Sequence, residues 1–272
     1  CEILKPLPIC CMKIVKDSND QYHSKDSISA SGLKEISKNS VYHYINRLPF
    51  ESSAMALGTA IHTALLEPDT FYDIYYPMPE IKDARTKEGR ILKKEAEQKS
   101  EGKICLPFYD YKKIKTILKN FKKNKLARSY CKGEVELSHY LKHENVDVRV
   151  RPDIINHVSD FICDVKTTQD ASPKGFRSSI YKFNYHLQAA FYMDMLGIKN
   201  FKFVVCETNH PHAVVVYTLD DDLIELGRKK WKQAFVDWKN YLENGQVNLY
   251  HSETFDVDGS YLISNIWKNI EK

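Results

Sequence analysis

The sequence predicts an α/β protein with a central mixed β-sheet flanked by helices and an N-terminal helical extension. Apolar residues recur with helical spacing through the first 130 residues, and a two-residue period replaces that spacing from about residue 134. Strand-like runs then alternate with helical ones. Because such alternation buries a sheet between helical layers, one α/β domain is the economical architecture.

The domain prediction separates an irregular arm, residues 1–25, from one domain that takes up the rest of the chain. Within it we expect a helical part over about 26–130, a sheet core over about 131–220 and a C-terminal helix over about 220–244. No low-complexity linker divides these parts.

Composition excludes several classes of protein. The 272 residues are 43% hydrophobic and 28% charged, with a net charge of +4, as in ordinary globular proteins. No segment approaches the roughly 20 apolar residues that cross a bilayer. Pro6 and Pro8 interrupt the first apolar residues, so no signal peptide is expected. The seven cysteines have irregular spacing and no CxxC pair, which argues against a disulfide framework or zinc site and favours the reducing cytoplasm.

The N-terminal half carries helix signals. Ser29 or Ser31 could cap a first helix, and residues 55–68 have the pattern of a buried helix that ends at Pro68. Residues 80–103 are dominated by charge, which predicts a mobile loop followed by a solvated helix.

An amphipathic basic helix is predicted over residues 111–128. Its polar face carries eight basic residues and no acidic one: Lys112, Lys113, Lys115, Lys119, Lys122, Lys123, Lys125 and Arg128. Such a face could attract phosphates without sequence preference, although a solvated helix surface is the commoner meaning of such a run.

Three successive strands are predicted over 134–141, 146–155 and 160–168, with a turn over 156–160 that joins the last two in a hairpin. A helix over 184–196, strands over 201–208 and 213–219, and the long helix over 220–244 follow.

The residues with the clearest chemistry are Asp153, Asp164 and Lys166. The hairpin would place Asp153 near the end of one strand and Asp164 on its neighbour, while Asp164 and Lys166 share a strand face. Two carboxylates suit Mg²⁺ or Mn²⁺, and a nearby lysine can orient or deprotonate a water or stabilise charge on phosphorus. This is equipment for phosphodiester hydrolysis; the alternative is a surface hairpin with a Lys–Asp ion pair.

At this point the sequence resembles a known family. The segments RPDII, CDVKTT and QAAFY are similar to motifs of the PD-(D/E)xK nucleases, whose restriction-endonuclease-like core matches the predicted mixed sheet. The order LGTAIHTALLEP, EVELS, RPDII, DVKTT and HLQAAFY resembles the RecB-type branch, most of all the phage-encoded exodeoxyribonuclease VIII group. The resemblance covers about residues 27–200.

The resemblance implies a role for each matching residue. His62, Asp153, Asp164 and the Val165 carbonyl would bind the metal, and Lys166 would be the catalytic lysine. On the residues alone, His62 is more often a packed helix histidine.

Further site residues are implied less directly. Gln188 and Tyr192 share a helix face that would lie beside the site and contact substrate, although a polar helix surface has the same spacing. Glu134 and Glu136 compete for the family's preceding acidic position; two apart on a strand, they would share a face, and we favour Glu134. Thr167 could donate to phosphate.

DNA contacts are expected from basic residues outside the centre. Three residues of the charged loop could hold a terminal phosphate or simply be solvated: Arg85, Lys87 and Arg90. Arg149 and Arg151 could lie near the substrate or pair with Asp147 and Glu136, and the pattern leaves both open.

The function implied is a Mg²⁺-dependent exodeoxyribonuclease, with Mn²⁺ able to substitute, that degrades one strand of linear duplex DNA from its ends. The resemblance further implies phage-type recombination beside a single-strand annealing protein, a homo-oligomer such as a ring, no membrane, and the cytoplasm of a bacterial cell. The alternatives are a CRISPR- or helicase-associated nuclease, which would need cysteines for an iron–sulfur cluster, and a DNA-binding module that does not cleave.

Overall fold

The computed structural model describes residues 12–50, 52–245, 247 and 249–250. The signal-peptide expectation concerns residues before this range and lies outside it. Among the described helices, none is both long and apolar enough to cross a membrane.

Eleven helices are present in the described residues. They are α1 (Asn19–His23), α2 (Ala30–Lys38), α3 (Val41–Ile45), α4 (Ser53–Leu66), α5 (Phe71–Ile74), α6 (Lys87–Lys99), α7 (Phe108–Lys123), α8 (Lys125–Tyr130), α9 (Pro173–Lys182), α10 (Tyr185–Leu196) and α11 (Asp221–Asn244). Ser29, one of the two predicted caps, accepts a hydrogen bond from the Gly32 N–H and starts α2. Helix α9 was not predicted, although Ser172 as cap and Pro173 in the first turn are start signals.

The described strands are β1 (Lys13–Val15), β2 (Ile28–Ser29), β3 (Tyr75–Pro77), β4 (Ile104–Leu106), β5 (Glu134–Val135), β6 (Ser138–His143), β7 (Val146–Val150), β8 (Ile154–Asn156), β9 (Phe161–Thr168), β10 (Asn200–Glu207) and β11 (Val214–Tyr217). A five-stranded sheet has the order β11-β10-β9-β8-β5, and only its β9–β10 pair is parallel. This is the predicted central mixed sheet. A four-stranded sheet, β1-β6-β7-β2, lies beside it.

The predicted strand over residues 146–155 is divided between the two sheets. Strand β7 pairs with β6, whereas β8 pairs with β9 in the predicted hairpin, where Ile154 lies opposite Cys163. The break falls at Pro152, which has no N–H to give to a ladder. It places Asp153 at the junction of the two sheets rather than inside a strand.

The prediction of an irregular arm over residues 1–25 is wrong for its described part. Strand β1 pairs with β6, and α1 begins with a capping box in which Ser18 and Gln21 bond each other's backbone. Tyr22 in α1 is buried. The arm is therefore packed onto the four-stranded sheet.

The five-stranded sheet separates two apolar cores. One contains α2, α10 and α11, with Phe191, Phe203 and Trp231 at its centre. The other lies under α4 and α7 and includes the buried free cysteines Cys163 and Cys206. Because successive side chains of β9 point alternately to the two cores, its polar residues face both helical layers.

Close backbone packing of α10 on α11 gives a stability prediction. A Cβ atom on Gly227 would lie 2.1 Å from the His186 carbonyl oxygen, so Gly227→Ala must push the helices apart. The cost of overpacking, about 1–3 kcal/mol, should exceed the gain in helix propensity of about 1 kcal/mol and lower the melting temperature by several degrees. Exposed Lys229→Ala on the same helix is the control. A melting temperature for Gly227→Ala at or above wild type would contradict the packing described.

Candidate active site

Asp153 is fixed at the open edge of β9. Its Oδ2 accepts a hydrogen bond of 2.6 Å from the Val165 N–H. Ladder pairing with β8 reaches only Cys163, so the next residues of β9 have no strand on this side. Since the N–H and C=O of a strand residue point to the same edge, the Val165 carbonyl faces the Asp153 side as well.

Three potential metal ligands converge at this edge. Ligand atoms of His62, Glu136 and Asp153 all lie within 4.8 Å of one another. His62 Nδ1 is 3.5 Å from Asp153 Oδ2, and the His62 ring also has a backbone hydrogen bond with Val165. Helix α4 can bring His62 here because Gly58, one turn earlier, packs directly against Thr167 of β9. Carboxylate oxygens with one imidazole form a donor set that Mg²⁺ or Mn²⁺ can accept.

Glu136, not Glu134, is the acidic residue at the site. Glu136 has a φ of 47° and its N–H donates to the Asp153 carbonyl, so the residue leaves the strand alternation after β5. Glu134 stays in β5 opposite Ile155, with its exposed carboxylate 3.5 Å from His157. The expectation that the two glutamates share a face is therefore wrong, and the structure brings Glu136 rather than the preferred Glu134 into the cluster.

Asp164 and Lys166 lie on the α10 side of β9. Asp164 is 1% exposed, its Oδ2 pairs with the Lys166 ammonium, and its Oδ1 accepts a 2.6 Å hydrogen bond from Gln188 Nε2. The Lys166 ammonium also lies 4.9 Å from the centre of the Tyr185 ring. Asp164 is therefore bound to Lys166 and Gln188. The third ligand in the cluster with His62 and Asp153 is the Glu136 carboxylate, not Asp164.

Lys34 is a site neighbour that sequence reasoning missed. Its ammonium, on α2, donates a 3.0 Å hydrogen bond to Gln188 Oε1 and lies 5.7 Å from the Tyr185 ring centre. A lysine in an amphipathic helix gives no sequence signal for such a contact, since only the packing of α2 on α10 creates it.

The electrostatics of the site follow from burial and close charges. Burial, aided by the Lys166 charge, lowers the pKa of His62, so its imidazole is neutral and able to bind metal at pH 7. Burial and then the Asp164 charge raise the pKa of Asp153 well above its usual value. Burial alone would lower the pKa of Lys166, but Asp164 and Asp153 outweigh it and raise the pKa. Burial and then Lys166 lower the pKa of Lys34 to about 7.

The side chains of Tyr192, Arg149 and Arg151 form hydrogen bonds with other residues of the protein. The Tyr192 hydroxyl donates a 3.4 Å hydrogen bond to the Arg151 carbonyl, and burial raises its pKa. Arg149 is buried, donates to the Lys25 carbonyl and lies 5.1 Å from the Tyr22 ring. Arg151 lies 4.3 Å from the same ring and bonds Asn19.

Pairing with Asp147 and Glu136, one of the two alternatives for these arginines, is not seen in the described part of the chain. Asp147 pairs instead with Lys142 at 2.9 Å, since both project from the exposed surface of the β6–β7 pair. The guanidinium groups of Arg149 and Arg151 instead pack against the ring of Tyr22 in α1.

The other predicted DNA contacts lie outside this cluster. Arg85 is paired with Asp83 on the surface, and Lys87 and Arg90 belong to the first turn of α6. Among the described residues, no hydrogen bond or ion pair joins Arg85, Lys87 or Arg90 to Asp153 or Asp164. Thr167 faces the α4 side of β9, where it packs on Gly58.

The two glutamates can be separated by mutation. Glu136→Gln should weaken Mn²⁺ binding about 10–100-fold, because it removes one charged ligand from the cluster, whereas Glu134→Gln should bind like wild type. Isothermal titration calorimetry with Mn²⁺ measures both. Loss of affinity in Glu134→Gln alone would restore the original assignment.

Comparison with known proteins identifies the family of the chain. Residues 29–256 match the family model described as "PDDEXK-like domain of unknown function (DUF3799)". The chain belongs to this PDDEXK-like family. A search of curated proteins found no match.

Solved structures were also found in the comparison with this PDDEXK-like chain. A candidate exonuclease from Eubacterium rectale is 14% identical, with a TM-score of 0.58 over 93% of this chain and 96% of the other. A phage-related exonuclease from Haemophilus somnus 129PT is also 14% identical, with a TM-score of 0.34 over 81% of this chain and 96% of the other. The first likeness supports the shared mixed α/β fold.

Proposed function

We propose that this PDDEXK-like protein is a metal-dependent exodeoxyribonuclease that degrades one strand of linear duplex DNA from its ends. The observation that carries the proposal is the convergence of His62, Glu136 and Asp153 at an open strand edge, beside the buried Asp164–Lys166 pair. A surface hairpin with an incidental ion pair would not also gather a neutral histidine and a third carboxylate around one point.

The donor set would hold Mg²⁺, with Mn²⁺ as a substitute. The residues that could hold it are His62, Glu136, Asp153 and the Val165 carbonyl, to which the family resemblance adds Asp164. When bound, the ion would acidify a water and neutralise charge on a phosphate. Lys166 presents a fixed cation to the phosphate that is attacked, and Gln188 holds Asp164 so that its carboxylate keeps one orientation.

The fold supports a PDDEXK-type nuclease, and the proposal that it is an exonuclease goes one step further. A structural relative is described as a candidate exonuclease, and the motif order resembles the exodeoxyribonuclease VIII group. We place the protein in recombination beside a single-strand annealing protein, as a ring-like oligomer in the bacterial cytoplasm. The lysine-rich surface of α7 would hold the duplex through its phosphates, with α6 near the DNA end.

Digestion of labelled duplex tests the function. Linear duplex carrying a label on one strand, at either the 5′ or the 3′ end, is incubated with Mg²⁺, and products are resolved on denaturing gels. We expect loss of one strand from its end, no cleavage with EDTA and no cleavage of covalently closed circular duplex. Equal cutting of closed circles would overturn the exonuclease assignment, and binding without any cleavage would favour the DNA-binding module.

A further inference from the structure

We infer that Lys34 is a positioning residue of the proposed nuclease centre, acting on Asp164 through the side-chain amide of Gln188. The inference rests on the proposed function for its effect on rate, but its structural content can be tested without cleavage. Lys34 and Gln188 are 154 residues apart in sequence, and the 3.0 Å hydrogen bond between them joins α2 to α10.

The argument starts from the two ends of the Gln188 amide. A glutamine side chain has one accepting and one donating end, and only its hydrogen-bond partners decide which way it points. Ionised Asp164 can only accept, so it requires the Nε2 end at 2.6 Å. Lys34 in its protonated form can only donate, so it requires the Oε1 end at 3.0 Å. Both partners therefore select the same orientation.

Removal of Lys34 would leave Oε1 without its partner. In the described residues, no ion pair holds the Lys34 ammonium within 4 Å of a carboxylate, so the Gln188 oxygen is its one described hydrogen-bond acceptor. Gln188 is 6% exposed, and water has little access to replace the lost bond. The amide would then lose its fixed orientation, and Asp164 would keep only the Lys166 pair as an anchor.

Kinetics of full-length variants test this on duplex substrate. Lys34→Met, which keeps an unbranched side chain one atom shorter and without a donor, should lower kcat about 10–100-fold with little change in KM. Lys34→Arg, which still only donates, should keep most of the activity. Exposed Lys38→Met on the same helix is the control and should match wild type.

A double-mutant cycle separates positioning from direct substrate binding. If Lys34 acts through Gln188, Lys34→Met combined with Gln188→Met should be no slower than Gln188→Met alone. Multiplying effects, a rise in KM at unchanged kcat, or wild-type rates in Lys34→Met would each overturn the inference. If melting curves show Lys34→Met to be unfolded, Lys34→Gln replaces it, because a second amide fixes neither orientation.

Nuclear magnetic resonance gives a readout that does not depend on cleavage. The Gln188 side-chain amide signals, assigned as the pair absent in Gln188→Met, should include one proton shifted downfield by the Asp164 carboxylate. Lys34→Met should abolish that shift while Lys34→Arg keeps it. An unchanged signal in Lys34→Met would overturn the inference even if the protein cleaves DNA. A changed signal in a protein that cleaves nothing would reject the proposed function alone.

Discussion

Lys166→Met is expected to lower the rate of DNA cleavage by about 10²–10⁴-fold without unfolding the protein. The ammonium pairs with Asp164 and lies over Tyr185, so it is the cation held closest to the buried carboxylate. Methionine fills similar space but supplies no charge for the phosphate. Rates on end-labelled duplex and melting curves of both proteins measure the effect.

The pH dependence of that loss distinguishes two roles for Lys166. Its pKa is raised above the ordinary 10.5, because the charges of Asp164 and Asp153 outweigh the effect of burial. We therefore expect the lysine to stay protonated between pH 6.5 and 9 and to act as a cation, not as a base that removes a proton from water. We expect Lys166→Met to lower the cleavage rate by the same factor at pH 6.5 and at pH 9. A loss that disappears at pH 6.5 would instead identify Lys166 as a general base.

A matched lysine on the neighbouring strand provides the control. Lys202 on β10 bonds Thr218 at the other end of the parallel pair, opposite Cys163. Lys202→Met removes the same charge from the same sheet and should cleave like wild type. An equal loss in Lys202→Met would mean that total charge, rather than the position of Lys166, controls the rate.

The central elements of the site were predictable because they depend on local patterns. Asp164 and Lys166 lie two residues apart in a strand with clear alternation, and a short turn places them beside the segment that carries Asp153. Helix α10 has a similar local basis, since it ends at Gly197 in the left-handed conformation. In these segments the periodicity and the end signals agree.

The remaining elements depend on backbone exceptions and distant packing. Glu136 reaches the site because its φ is positive, a conformation that strand periodicity does not reveal in a glutamate. Lys34 reaches Gln188 only because α2 packs on α10. Arg149 looks like an exposed strand residue by alternation, but the arm covers it with Tyr22. The Glu136 case comes from a local backbone exception, whereas the other two come from contacts between segments far apart in sequence.

Asp153→Asn is expected to abolish metal binding and yet to stabilise the metal-free protein. Burial and the Asp164 charge raise the pKa of Asp153, so its ionised form opposes folding at every pH above the usual aspartate value of 3.8. This opposition fades as the pH falls and the folded protein takes up the proton. A neutral asparagine removes it at pH 7 and can still accept the Val165 hydrogen bond.

Thermal melts with and without Mn²⁺ measure both effects. The wild type should gain melting temperature as Mn²⁺ is added, because the ion binds the folded state, while Asp153→Asn should start higher and gain nothing. Asp160→Asn, at the exposed last position of the turn between β8 and β9, is the control and should respond to Mn²⁺ like wild type. An Asp153→Asn protein that is less stable than wild type without metal would show that the carboxylate serves the fold. Undiminished stabilisation by Mn²⁺ would place the ion elsewhere. Higher stability together with a lost metal response would mean that Asp153 is kept ionised for the metal, at the expense of the fold.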